Sequence, residues 1–363
     1  MYQTAAAAQS GPALPTDLML RGPLKSRPAG SPPNSLPLPP ALDGELHFVS
    51  GAGPRLALYI SRLDAGSERG NLTPLVVVHS VNAAASAAEV RPVFERYGAT
   101  RPVVAIDLPG FGQSERGALK YSPQMMTEAI LRAVEYLQGL GFKRPADLMA
   151  VSLSCEFAAL AAVARPHWFR SVALVSPTGL DSAAVMGAYE PDQTKEKRML
   201  RRVLEAPLWA QAVYRLLTSR ASIRYFLGRT WGSVAIDQKL LEYNLLSVQQ
   251  PGARYAPFAF VSGALFTPGI GKLYTRLQQP VWIAHGMRGD FSDCDGLPRL
   301  RAADKWRVDV FATGALPFFE VPSLFASRYD AFLRKARTQS DAARWRRRVA
   351  VGLLPVGAAG THP

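Results

Sequence analysis

Two cysteines, Cys155 and Cys294, and five histidines are all that 363 residues hold of the side chains that most readily bind metals. They show no metal-ligand spacing, so neither a metal nor a cofactor is expected, and so few cysteines exclude a disulfide scaffold. The two thiols read as ordinary buried groups of a reducing compartment, with a Cys155–Cys294 redox pair as the less favoured alternative. No hydrophobic run approaches the ~20 residues of a membrane span. Acidic side chains are scarce, 28 against 42 Lys and Arg, which leaves a net charge of +14. Basic charge alone is poor evidence for nucleic acid, and no recognised nucleic-acid module occurs, so no such partner is expected. The first residues lack the basic start and continuous apolar core of a secretory signal, despite the run Ala5–Ala8, and the expected location is cytoplasmic.

The hydrophobic content, 48%, is ample for one large core. Residues 1–44 read as an extended arm without regular structure, because the first 41 hold nine prolines and one acid, Asp17. The other end is basic. Between Arg334 and Arg348 seven Lys and Arg face only Asp341, and Trp345 with the apolar residues Val349–Leu354 follows the same pattern. This extension, 336–363, suits a solvated helix, with peripheral contact to a membrane surface or an acidic protein as the alternative.

Short aliphatic runs punctuate the middle: Leu75–Val78, Val103–Ile106, Leu148–Val151, Val172–Val175 and Val281–Ala284. They do not alternate with polar residues, as expected of parallel strands covered on both faces, and longer Ala-rich or amphipathic segments separate them. After the third run the chain reads Ala150-Val151-Ser152-Leu153-Ser154, then an Ala-rich helical stretch. A serine between tiny flanks at a strand-to-helix junction predicts a nucleophile elbow, although the two glycines that usually ease the turn are missing.

Three segments in order carry a family likeness: His79-Ser80-Val81-Asn82 after one strand, Asp107-Leu108-Pro109-Gly110-Phe111-Gly112-Gln113-Ser114 after the next, and the serine elbow after a third. In these the chain resembles the α/β-hydrolase superfamily, and the likeness spans roughly residues 45–335. The resemblance implies an α/β fold with a mostly parallel central sheet flanked by helices and an inserted helical cap. It divides the chain into core (45–180), cap (181–261) and core (262–335). It also implies Ser152 as nucleophile, with the backbone N–H groups of Leu153 and Val81 as the oxyanion hole. Asp107, Gly110 and Gly112 are expected to be scaffold.

The family places its histidine on the last loop, before an apolar residue, a proline and a glutamate. Aligned on Glu320 and Pro322, that position is Ala315, with Phe318 and Phe319 close behind, and no histidine lies between His285 and His362. For the acid, Asp290 leads and Asp293 is second, while both can equally pair with Arg288 or cap a helix. A substitute base has to come from His79 or His285 at the catalytic face, and both have structural readings as strong. Asn82, Ala315 and Phe318 are expected to wall the substrate pocket, Asn82 with an Asx-turn role as the alternative. In the cap, Trp209, Tyr214, Leu216, Leu217, Ile223, Tyr225, Phe226, Leu227 and Trp231 alternate with Arg215, Arg220, Arg224 and Arg229. This pattern either covers a small hydrophobic ligand or simply packs on the sheet. Three functions stay open: a serine hydrolase of a hydrophobic ester or acyl compound with a degenerate triad, an inactive binding or scaffolding relative, or lyase or isomerase chemistry through a carboxylate such as Glu156 or Asp290.

Overall fold

The computed structural model describes residues 37–62, 68–190, 193–288, 294, 296–300 and 306–350, with side chains in the last helix described to Thr338. Most of the Pro-rich arm, Asp290, Asp293 and the end of the basic extension lie outside the described residues. The strands β1 (Glu45–Val49), β2 (Leu56–Ile60), β3 (Leu75–Val78), β4 (Val103–Asp107), β5 (Ala146–Val151), β6 (Phe169–Val175), β7 (Val281–Gly286) and β8 (Trp306–Phe311) form one sheet. Its order is β1-β2-β4-β3-β5-β6-β7-β8. Strand β2 is antiparallel to both neighbours, and every pair from β4 to β8 is parallel.

Helices fill the crossovers. They are α1 (Arg91–Gly98), α2 (Pro123–Gly139) and α3 (Ser154–Ala164), then α4 (Ser182–Met186), α5 (Arg198–Glu205), α6 (Ala210–Leu217), α7 (Arg220–Trp231), α8 (Gln238–Ser247), α9 (Tyr255–Val261) and α10 (Ile270–Tyr274) between β6 and β7. Last come α11 (Leu297–Leu300), α12 (Pro317–Glu320) and α13 (Pro322–Ala350). Local chemistry sets their ends. Ser122 caps α2 by accepting from Met125 N, with Pro123 in the first turn where no N–H is needed. Ser219 and Asp237 cap α7 and α8 in the same way, and Gly232 closes α7 in the left-handed conformation.

Alternate residues of each central strand feed two cores. Val76, Val104, Leu148, Val172 and Ile283 pack with α2 and α3 on one face. Val77, Ala105, Met149, Ala173 and Trp282 pack with α1 and α13 on the other, where the helices between β6 and β7 add Tyr214, Leu227 and Leu240. Trp282 is fully buried against Phe325, Tyr329 and Phe332 of α13, and its Nε1 donates to Asp309 at 2.7 Å. Arg91 Nη2 donates to both carboxylate oxygens of Asp237, the N-cap of α8, at 2.9 Å and ties α8 to the sheet domain. Residues 37–44 also pack here: Leu42 is buried, Tyr243 donates to Pro39 O, and Gln113 donates to Leu38 O.

Candidate active site

Ser152 has φ +54°, one of two non-glycine residues with positive φ among the described residues. Its N–H donates to Val175 O at 2.8 Å, and its carbonyl accepts from Cys155 N at 3.0 Å. The chain thus leaves β5, turns through a strained backbone and enters α3, the geometry that lifts a side chain above the strand ends. Small flanks make it possible. Ser154, fully buried, donates to His79 O at 2.5 Å and pins the elbow to the turn after β3. Leu153 occupies the N-cap of α3, where backbone N–H groups have no intrahelical acceptor.

The turn after β3 is organised by Glu89, in a short 3₁₀ segment, Ala87–Val90. One carboxylate oxygen accepts from Ser80 N at 2.6 Å, and the other from Ser80 Oγ at 2.8 Å and Asn82 Nδ2 at 3.4 Å. Asn82 also donates to Ser80 Oγ, and its Oδ1 accepts from Ala84 N at 2.8 Å, so its amide is spent on the turn. Burial pushes the Glu89 carboxyl up to about 7, against the pull of its hydrogen bonds from Ser80. Sequence reasoning missed Glu89. It stands in an unremarkable Ala-Ala-Glu-Val run, and only the fold brings it back onto Ser80. The following loop is scaffold: Asp107 accepts from Ala87 N at 2.7 Å and Gln113 N at 2.8 Å. A Cβ on Gly112, at φ +49°, would lie 1.9 Å from Asp107 Cγ.

These elements enclose a cavity of about 360 Å³, within the usual range for small-ligand sites. The sheet side contributes Val81, Asn82, Glu89, Ser152, Leu153, Ser176 and Ala315. Tyr214, Leu217, Ile223, Phe226 and Leu227 face them from α6 and α7, with Phe260 and Val261 from α9. The wall is therefore overwhelmingly apolar, and Glu89 is the one carboxylate among its described lining residues.

No histidine is among the described residues that line the cavity. His79 is fully buried; its Nε2 accepts from Leu108 N at 3.0 Å, which leaves Nδ1 to carry the proton that it gives to Ser80 O at 2.5 Å. Burial lowers its pKa although Asp107 works against that, so the ring is neutral with both nitrogens engaged. It has no free lone pair for Ser152. His285 lies within β7, its Nδ1 3.1 Å from Gly286 O, and does not line the cavity. Neither fits the substitute-base role considered for it.

Ala315 lines the cavity beside Ser152, in the loop after β8. Its N–H donates to Thr230 O of α7 at 2.8 Å, and its carbonyl accepts from Ser176 Oγ at 2.7 Å. A Cβ on neighbouring Gly314 would meet Thr230 O and Trp231 O at 2.4 Å, so the loop runs backbone to backbone against α7. Glu320 holds it from below by accepting from Gly314 N at 2.7 Å and pairing with Arg288. Phe318 is a correction. It faces away from the cavity into a separate depression between α1 and α13 and packs on Phe325, because the helical turn Pro317–Glu320 rotates it behind Ala315 and Leu316.

Ser176, at φ +46°, is the second strained serine and ends β6 as Ser152 ends β5. Glu156 sits behind the wall, accepting from Thr178 Oγ1 at 2.7 Å and Thr267 N at 2.9 Å, and burial pushes it up to about 7. Both its oxygens are engaged and it does not line the cavity, which removes it as a carboxylate aimed at substrate. Cys155 is a buried thiol that donates to Ala150 O, raised by that burial far from thiolate formation.

Residues 73–227 match the family described as the alpha/beta hydrolase fold. Among solved structures, a serine hydrolase involved in carbazole degradation is 14% identical, with a TM-score of 0.60 over 80% of this chain and 98% of that one. A 2-hydroxy-6-oxo-6-phenylhexa-2,4-dienoate hydrolase from Rhodococcus sp. strain RHA1 is 17% identical, TM-score 0.58, over 80% and 100%. An N-acyl homoserine lactonase is 20% identical, TM-score 0.57, over 80% and 97%. No curated protein matches the sequence significantly. Identities this low speak for fold alone, and together with the matched segment, the strand order and the serine elbow they show that this chain has the α/β-hydrolase fold.

Proposed function

We propose that this protein acts on a hydrophobic ester or related acyl compound, as a serine hydrolase with a degenerate triad. The observation that carries the reading is a serine in elbow conformation opening into an apolar cavity roofed by helices of the insertion. The acyl chain lies against Leu217, Ile223 and Leu227, and its carbonyl at Ser152 Oγ. Attack on the carbonyl carbon gives an oxyanion that the N–H groups of Leu153 and Val81 stabilise. The C–O bond to the leaving alcohol then breaks, leaving an acyl-serine that water hydrolyses to the free acid.

With Ala315 at the usual histidine position, the serine proton passes to water or to the departing oxygen. Loss of a triad member costs on the order of 10⁴ to 10⁶ in rate. The consequence is chemical selectivity: aryl and other activated esters, whose oxygens leave without protonation, react, and alkyl esters do not. Ester hydrolysis compared across leaving groups, in wild type and Ser152→Ala, tests this. Turnover confined to activated esters and lost in Ser152→Ala is the expected result; equal rates in both proteins overturn the reading. The apolar character that Ala315 brings also favours a second reading, a binding protein with no turnover. Saturable binding of a hydrophobic ester that persists in Ser152→Ala without release of acid identifies it.

A further inference from the structure

The solvent side of helices α5, α6 and α7 has a composition unlike an ordinary protein surface. Between residues 198 and 231 no exposed residue is acidic. Met199, Val203, Leu208, Trp209, Leu216 and Tyr225 stand in solvent, Leu208 at 91% and Met199 and Leu216 at 73% exposure. Arg202, Arg215, Arg220 and Arg224 are exposed among them. The three helices pack in sequence, α5 on α6 and α6 on α7, and Trp209 Nε1 donates to Val203 O across the first junction. The exposed apolar and cationic groups are therefore carried by three contiguous helices.

That surface also carries the mouth of the cavity. Phe226 and Val261 line the cavity while remaining 45% and 47% exposed, so its apolar wall reaches the exposed face. Large apolar side chains in water beside unpaired-sign cationic charge have a natural partner: a lipid surface takes the apolar groups into its boundary layer and its anionic headgroups meet the arginines. Among the described residues no helix is long and apolar enough to cross a membrane, which leaves docking on the surface as the mode of contact.

We propose that the α5–α7 face is a docking surface for an anionic lipid bilayer, and that it seats the cavity mouth against the membrane. A lipophilic ligand then enters Ser152's cavity from the bilayer without crossing water. Docking is a property of the surface alone and is measured without any reaction at Ser152, so it stands or falls separately from the hydrolase reading.

Flotation of the full chain with phosphatidylglycerol-containing vesicles, against pure phosphatidylcholine vesicles, tests the proposal. Wild type is expected to float with the anionic vesicles and only weakly with the neutral ones, and high salt is expected to weaken the binding. The double variant Leu208→Asp/Leu216→Asp changes only exposed side chains, and its thermal unfolding reports that it is folded. It is expected to lose about tenfold or more in vesicle affinity, since the affinity scales with buried apolar area and charge. As a second readout, the vesicle-induced tryptophan blue shift is expected to vanish in Trp209→Phe. Equal binding to both vesicle types overturns the proposal. So does anionic binding that survives in the double variant, which assigns it to other basic segments such as the C-terminal extension. Concentration-dependent dimerisation of wild type that the double variant abolishes also overturns it, by making a second copy the occupant of this face.

Discussion

Ser176 Oγ donates to the carbonyl oxygen of Ala315 at 2.7 Å, joining the strand end next to the elbow to the loop where the superfamily keeps its histidine. Ala315 N in turn donates to Thr230 O of α7, so the loop is held from both sides. Ala315 and Ser152 line the same cavity.

In the proposed reading an imidazole at this position takes the serine proton, so Ala315→His is expected to extend turnover to alkyl esters. General acid–base catalysis typically contributes ~10²–10⁴-fold, and a gain of about 10² or more in kcat/KM toward alkyl esters is expected from this variant. Steady-state kinetics on wild type, Ala315→His and Ala315→His/Ser152→Ala checks it. A gain that persists without Ser152 argues against the arrangement.

His79 is structural, and its replacement has a structural effect. His79→Ala leaves Leu108 N–H and Ser80 O buried without their partner, at a cost of about 1–3 kcal/mol for each unsatisfied group. Chemical denaturation is expected to show that loss, while any Ser152 reactivity per folded molecule changes little. A catalytic His79 gives the reverse, intact stability and abolished reactivity.

Glu89 holds the turn that carries Val81, and only its ionised form accepts all the hydrogen bonds from Ser80 and Asn82. With its carboxyl near 7, reactivity at Ser152 is expected to rise with pH through that value and to lose the inflection in Glu89→Gln. The stability effect has the opposite sign. Its folded pKa lies above the unfolded 4.5, so the contribution is full below 4.5 and is lost as pH rises through about 7. Glu156 behaves alike. A pH profile identical in wild type and Glu89→Gln contradicts this role.

Acid is expected to unfold the protein through Asp147 and His79. Asp147 is fully buried, yet Arg101 at 2.6 Å, Arg170 and the Ser171 hydroxyl more than offset the burial and hold its carboxyl below the ordinary range. Its stabilisation is present above 3.8 and lost as pH falls through the lowered folded value. His79 likewise contributes stability that is present above 6.5 and lost as pH falls from there through its lowered folded value. Breaking a buried ion pair by removing one partner costs about 3–5 kcal/mol, so Asp147→Asn is expected to flatten the acid limb of the stability curve while lowering its plateau by about that much. Calorimetry across pH checks both.

The sheet was legible because continuous aliphatic runs such as Val76–Val78 and Leu148–Val151 admit little but strands covered on both faces. Asp107, Gly110 and Gly112 read correctly as scaffold because an aspartate answering the N–H groups of a tight Gly-rich loop is a local arrangement. Glu89 was illegible since its meaning depends on nine residues of chain returning it to Ser80. Phe318 was illegible because closeness to Ala315 in sequence does not fix a shared face, and one helical turn sends it into a separate depression between α1 and α13. The insertion showed its arginines and aromatics plainly, but covering a ligand or packing on the sheet was the expectation for Leu216, and only the fold leaves it in water.

In the proposed reading Ser152 is a reactive alcohol in an apolar cavity with no imidazole among its described lining residues. Intact-protein mass after incubation with an alkyl fluorophosphonate tests it most directly. The expected result is one slowly formed adduct that maps to Ser152, is absent from Ser152→Ala and forms faster in Ala315→His. An unmodified mass for folded wild type and Ala315→His alike, or an adduct that persists in Ser152→Ala, contradicts the claim.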